Sequence, residues 1–288
     1  MRHPISAPRS PAVQPRAGRF SRDARLNLCY HSPKGRWVHT YLPLFFLHFK
    51  FYPQFLREHI QSIIMYGYAC INTELNSLPK SKRITTNRTM RKATFEKNGL
   101  DYVSELVLQN ITDLEKIFHW NEDHDIRFYR MSSEMFPWSS EYDLCDLKDW
   151  DTIADILERC GKFASQYGHR ISYHPGHFVK IASVRETTQE NSLREIEHHA
   201  EVMDWIGLPQ DHRSKINIHV GAVYESKEYT AQRVADAVSR LSKSARSRLT
   251  FENDDKGSLW SVKDLYELVF PLTRVPIVFD YHHHNLLP

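Results

Sequence analysis

Residues 149–177 read DWDTIADILERCGKFASQYGHRISYHPGH, a helix, a stop, a strand and a polar strand end in succession. Ile153, Ile156, Leu157, Cys160, Phe163 and Tyr167 recur at three- and four-residue spacing, so they share one face of an amphipathic helix. Gly168 is a natural C-terminal stop, because glycine enters the left-handed conformation without a Cβ penalty. A short strand is expected over 170–173, and it runs directly into His174-Pro175-Gly176-His177.

The same alternation extends outward in both directions. Strands are expected over 66–71, 126–131, 170–173, 215–220, 248–252 and 275–280. Between them, Val103, Leu106, Val107, Ile111, Leu114 and Phe118 mark one helix, and Leu193, Ile196, Ala200, Met203 and Ile206 mark another that Gly207 closes. Strand and helix in strict alternation predict a parallel β/α architecture, either an open doubly wound sheet or a barrel. No Gly-x-Gly-x-x-Gly follows the first strand, which argues against a dinucleotide-binding sheet.

The strand ends favour the barrel, whose functional groups collect at the C-terminal ends of its strands. The third strand ends in His174-Pro175-Gly176-His177 and the fourth carries His219. The fifth ends in Glu252-Asn253-Asp254-Asp255, and the sixth in Asp280-Tyr281-His282-His283-His284-Asn285. Any one of these taken alone is an ordinary polar turn or a hydrogen-bonded structural histidine. Four consecutive strand ends of this kind point to a metal site, since imidazole with carboxylate suits zinc, manganese or iron.

Composition bounds the alternatives. A chain of 288 residues with 41% hydrophobic content can bury one large core, and a net charge of +3 is compatible with a polyanionic partner. Cys29, Cys70, Cys145 and Cys160 form no Cys-x-x-Cys pair, so a disulfide framework or a cysteine zinc site is not expected and a reducing, intracellular setting is. No apolar run reaches the roughly 18 residues of a membrane span. Residues 1–64 differ from the rest, being rich in arginine and poor in acid. They read as a basic, low-order N-terminal extension or, secondarily, an organelle transit leader. The domain of interest is therefore 65–288.

Several segments then become recognisable together. Gly67-Tyr68-Ala69-Cys70-Ile71-Asn72, Thr85-Thr86-Asn87-Arg88-Thr89, Arg130-Met131-Ser132-Ser133-Glu134-Met135-Phe136-Pro137, His174-Pro175-Gly176, His219, Glu252-Asn253-Asp254 and Asp280-x-x-His283-His284 resemble the ultraviolet-damage endonuclease family, in order and with no motif skipped. The resemblance implies a TIM-type β/α barrel related to endonuclease IV and the sugar isomerases. It also implies a metal cluster, manganese first with zinc or magnesium as alternatives, that nicks DNA immediately 5′ of pyrimidine dimers to start excision repair. Carried over by position, His174, His219, Glu252, Asp280 and His283 are the implied metal ligands. Glu252 bridges, and His219 and Glu252 are the residues whose loss should abolish nicking. Tyr68, Asn72, His177 and Phe178 match positions that probe the damaged duplex, and Arg88, Arg130 and Lys180 are phosphate-contact candidates.

The chain departs from the family at two places. Glu141 stands where the family places a histidine ligand, so it joins the ligand list as a substitute. The family continues for two further strands that supply a Lys, a His and a Glu, so the chain reads as a C-terminally truncated barrel with about six of the eight strands. The leading expectation is a DNA endonuclease acting as a monomer on damaged double-stranded DNA, in the nucleus or mitochondrion and without membrane attachment. The alternatives are an abasic-site endonuclease or sugar isomerase of the same barrel group, and a non-catalytic DNA-binding fragment.

Overall fold

A computed structural model describes the backbone of residues 25–31 and 37–43, together with residues 65–176 and 178–288. The chain divides into two compact units, 1–64 and 65–288. In the first, β1 (Arg25–His31) and β2 (Trp37–Pro43) pair antiparallel from Arg25↔Pro43 to His31↔Trp37, a pairing that the composition did not announce. The expectation of an irregular leader otherwise falls outside the described residues.

The second unit is built on one six-stranded, wholly parallel sheet. Its strands are β3 (Gly67–Ala69), β4 (Phe128–Met131), β5 (Arg170–Tyr173), β6 (Ile216–His219), β7 (Leu249–Glu252) and β8 (Ile277–Val278), arranged in chain order. A doubly wound sheet reverses its strand order at a switch point. Here the order never reverses, which is the wall of a β/α barrel, with β3 and β8 each paired on one side only among the described residues. The strands are centred where the alternation placed them, though most are shorter.

Helices α1 (Thr73–Asn76), α2 (Lys92–Asp123), α3 (Trp150–Tyr167), α4 (Glu186–Ile206), α5 (Lys227–Arg240) and α6 (Lys243–Arg248) fill the connections. Gly168 and Gly207 terminate α3 and α4 in the left-handed conformation, at φ 70° and 76°. Gly161 serves a different purpose. A Cβ there would stand 1.6 Å from the Ile206 carbonyl oxygen, so its bare Cα is what lets α3 approach α4.

Register sorts the strand residues onto two faces. Tyr129↔Ile171, Met131↔Tyr173, Ile216↔Leu249, Ile218↔Phe251 and Phe251↔Ile277 lie on the face that packs against the helices. All but the partly buried Ile277 are core residues, in one cluster with Ile111, Leu114 and Phe118 of α2 and Ile153 and Leu157 of α3. The opposite face carries Arg130↔Ser172, Asn217↔Thr250 and His219↔Glu252. Because successive side chains alternate, burying one face against the helices turns every polar strand residue to the other. That inner face leads to the strand ends where the ligand candidates lie. No helix among the described residues is long and apolar enough to cross a membrane.

Candidate metal centre

Glu252, the last residue of β7, is 3% exposed and is the hub of the site. Its position is set from below by a polar relay across two strands. Thr250 Oγ1 donates to Asn217 Oδ1 at 2.8 Å, and Asn217 Nδ2 donates to Glu252 Oε2. His219, at the end of β6, brings Nε2 to 3.6 Å from Glu252 Oε1. His174, just beyond β5, brings Nε2 to 3.9 Å from Glu252 Oε2. The ligand atoms of these three residues lie within 4.8 Å of one another, close enough to hold a metal ion, and those of Glu252, Asp280 and His283 form a second such group. Both groups share Glu252.

The second group is assembled by Asn253. Its side chain accepts from the Asp280 N–H at 2.8 Å and donates to the Asp280 carbonyl at 3.1 Å, which extends the β7–β8 pairing past the end of the ladder. Asp280 caps the short helix α7 (Tyr281–Leu286), its Oδ1 accepting the His283 N–H at 2.9 Å. His283 Nδ1 lies 2.8 Å from the Asn253 carbonyl and 3.7 Å from Glu252 Oε1. A carbonyl only accepts, so Nδ1 carries the proton and Nε2 holds the lone pair. His174 follows the same logic, donating from Nδ1 to the Pro175 carbonyl at 2.9 Å and leaving Nε2 as the ligand nitrogen.

The electrostatics suit cation binding. Burial lowers the His219 pKa, but the hydrogen-bonding influence and charge of Asp254, with the charge of Glu252, outweigh it, and the net shift is upward. Burial dominates at His174, whose pKa falls, so its imidazole is held neutral as a ligand must be. Burial alone would raise the Asp280 carboxyl, yet hydrogen bonds and charge from His283 take it below the usual carboxylate range. His219 Nδ1 lies 3.3 Å from Asp254 Oδ1. Among the described residues Asp254 Oδ2 is buried without a hydrogen-bond partner. A buried, unsatisfied carboxylate oxygen beside converging imidazoles and carboxylates fits a site that a divalent cation completes.

Other sequence candidates fall elsewhere. Glu141 is exposed on the 3-10 turn Ser139–Glu141 and joins neither ligand group. It lines a separate depression with Asp143, Arg194, His198 and Glu201. Tyr68 and Asn72 are interlocked: Tyr68 Oη donates to Asn121 at 2.7 Å and accepts from Asn72 Nδ2 at 3.0 Å, while Asn72 Oδ1 caps α1. Phe178 is 73% exposed beside the His174-Pro175-Gly176 turn, and Lys180 is exposed. His177 lies outside the described residues. The Arg88 guanidinium donates to the carbonyls of Thr85 and Arg83 and pairs with Asp113 at 2.6 Å, so it fastens its own loop. Asn217 was not singled out in the sequence, because an asparagine inside a four-residue strand carries no motif. Asn253 and Asp254 were visible as strand-end residues, without their supporting roles.

With this geometry in place, the similarity to known proteins can be located. The family model described as UV-endonuclease UvdE matches residues 64–288. The chain is 38% identical over 228 residues to the UV-damage endonuclease of Schizosaccharomyces pombe, covering 77% of this chain and 36% of that one. It is 31% identical to the putative UV-damage endonuclease of Acanthamoeba polyphaga mimivirus, covering 78% of this chain and 67% of the relative. The chain thus spans little more than a third of the Schizosaccharomyces pombe and Neurospora crassa relatives, 36% and 37% of their lengths. Among solved structures, SacUVDE superposes with a TM-score of 0.67 at 31% identity, over 78% of this chain and 71% of that one. The matched region contains all five residues of the two ligand groups, and on this ground the chain belongs to the UV-endonuclease UvdE family.

Proposed function

We propose that this protein is a metal-dependent DNA endonuclease that nicks the phosphodiester immediately 5′ of ultraviolet photoproducts, the entry step of excision repair. The observation that carries the reading is the convergence of His174, His219, Asp280 and His283 on one buried carboxylate, Glu252. Two divalent ions, manganese by preference, would be held by His174, His219 and Glu252 on one side and by Glu252, Asp280 and His283 on the other. When bound, such a pair neutralises a phosphodiester and eases in-line attack by water. The chain's own residues do the preparatory work. Asn217 aims Glu252 and Asn253 draws Asp280 and His283 toward it. The Pro175 carbonyl holds His174 in the tautomer that leaves Nε2 to bind.

Tyr68, Asn72, His177 and Phe178 are assigned to the damaged duplex, with Phe178 as the wedge or stacking surface. The partner is damaged double-stranded DNA met by a monomer, and the place of action is the nucleus or the mitochondrion. The test is nicking of an ultraviolet-irradiated duplex by purified protein with Mn2+. Cleavage directly 5′ of the dimers is expected, together with its loss in Glu252→Gln and His219→Ala. Cleavage confined to abasic DNA would refute the lesion assignment, and normal cutting by either variant would refute the metal assignment.

A further inference from the structure

None of the residues lining the pocket of about 840 Å3 between residues 76–88 and the middle of α2 belongs to the ligand groups. Among the described residues the walls carry four cations, Lys80, Arg83, Arg88 and Lys116, and one carboxylate, Asp113. Asp113, with its side chain 5% exposed, pairs with Arg88 at 2.6 Å and with Lys116 at 2.8 Å, and accepts the Thr85 N–H at 3.1 Å. One buried carboxylate therefore fastens the loop to α2 and leaves the lining with an excess of three positive charges. Lys80 and Arg83 are exposed and form no ion pair with a described residue, while Lys116 keeps about half of its side chain in solvent, at 52%.

The lining also says what kind of anion fits. Its apolar members are Ile71 and Leu108, and no aromatic ring among the described residues faces the pocket, so none of them offers a nucleobase a surface to stack on. What remains are cationic donors with Asn76, Ser81, Thr85, Asn87, Gln109 and Thr112, all able to hydrogen-bond phosphate oxygens. The loop follows β3 and α1, and the ligand residues lie at or just beyond the C-terminal ends of β5 to β8.

We infer that this pocket is a second DNA contact, which seats backbone phosphates of the duplex without reading bases. Lys80, Arg83 and Lys116 are the contacting cations, and Arg88 is the residue that positions the loop for them. The inference rests on the reading of the metal centre as a DNA site.

The test is duplex affinity of the full chain, read by fluorescence anisotropy with an undamaged 20-base-pair DNA between 50 and 200 mM salt. Each phosphate contact removed should flatten the slope of log affinity against log salt by about 0.9, so Lys80→Ala/Arg83→Ala should lower it by about 1.8. Affinity at the lowest salt should fall roughly 10-fold per contact. Lys116→Gln should behave as a single contact. The control is Lys162→Ala/Lys243→Ala, which removes the same charge from exposed sites outside the pocket and should leave the slope unchanged. An unchanged slope in the pocket variant, an equal change in the control, or no duplex binding by the parent chain would each overturn the inference. Failure of the metal-centre reading has a different appearance: no nicking of irradiated DNA, while the pocket's contribution to the salt slope persists.

Discussion

Replacing Asn253 with alanine removes the clamp that joins β7 to the segment bearing Asp280 and His283. Asn253 is wholly buried, and two hydrogen bonds of 2.8 and 3.1 Å disappear with its side chain. Each such bond contributes about 0.5–1.5 kcal/mol net, and leaving the Asp280 amide and carbonyl without partners adds to that, so the expected loss of stability is about 2–3 kcal/mol. The effect on the site should exceed the effect on the fold. With its orienting partner gone, the Asp280–His283 pair should bind a divalent ion about 10- to 100-fold more weakly. The assay pairs urea unfolding, followed by tryptophan fluorescence, with calorimetric titration of Mn2+ or Zn2+. Unfolding within about 0.5 kcal/mol of the parent chain, together with unchanged metal affinity, would refute the clamp.

Three further outcomes follow from other parts of the molecule. Gly161→Ala places a Cβ against the Ile206 carbonyl oxygen, so α3 and α4 must separate, and thermal unfolding should show a loss of about 3 kcal/mol or an unfolded chain; a native melting temperature would contradict the close approach. His199, 2% exposed, has its pKa pushed down to about 4 by burial, so its neutral form is favoured by folding. That contribution is complete above the ordinary histidine value near 6.5 and is lost as pH falls toward 4, at up to about 1.4 kcal/mol per pH unit. Glu195 acts in the opposite sense. Burial raises its pKa to about 7, so its contribution is complete below the ordinary value near 4.5 and fades as pH rises through 7. Glu195→Gln should therefore steepen acid destabilisation between pH 4.5 and 6.5, measured as urea midpoints, and parallel curves for the two proteins would contradict the assignment. Arg248→Met should cost about 2–4 kcal/mol, because it takes the donor away from the carbonyls of Leu208 and Pro209 as well as from Asp204; urea unfolding within about 0.5 kcal/mol of the parent would refute this.

Much of the fold was legible because it depends on local periodicity. The apolar spacing from Ile153 to Tyr167, the stop at Gly168 and the strand over 170–173 are near-neighbour properties, and the structure places α3 and β5 there with Gly168 in the left-handed conformation. The ligand candidates were legible for a related reason: in a parallel β/α wall every strand end points to one side, so His174, His219, Glu252 and Asp280 need only the strand positions to be grouped. What the sequence could not reveal depends on contacts between distant segments. Asn217 and Asn253 become supports for ligands only when β6, β7 and β8 lie in register, and the pull of Asp254 on His219 exists only across a strand boundary. Arg88 reads as a surface cation until Asp113, on the opposing face of α2, occupies its guanidinium. Glu141 matches a ligand position by register, but the turn that carries it faces solvent, outside both groups. Sequence alone therefore identified the elements and the chemistry at their ends. Tertiary packing decided which side chains support the ligands and which cations remain exposed, because hydrogen bonds and ion pairs between remote segments exist only once register and burial have been set.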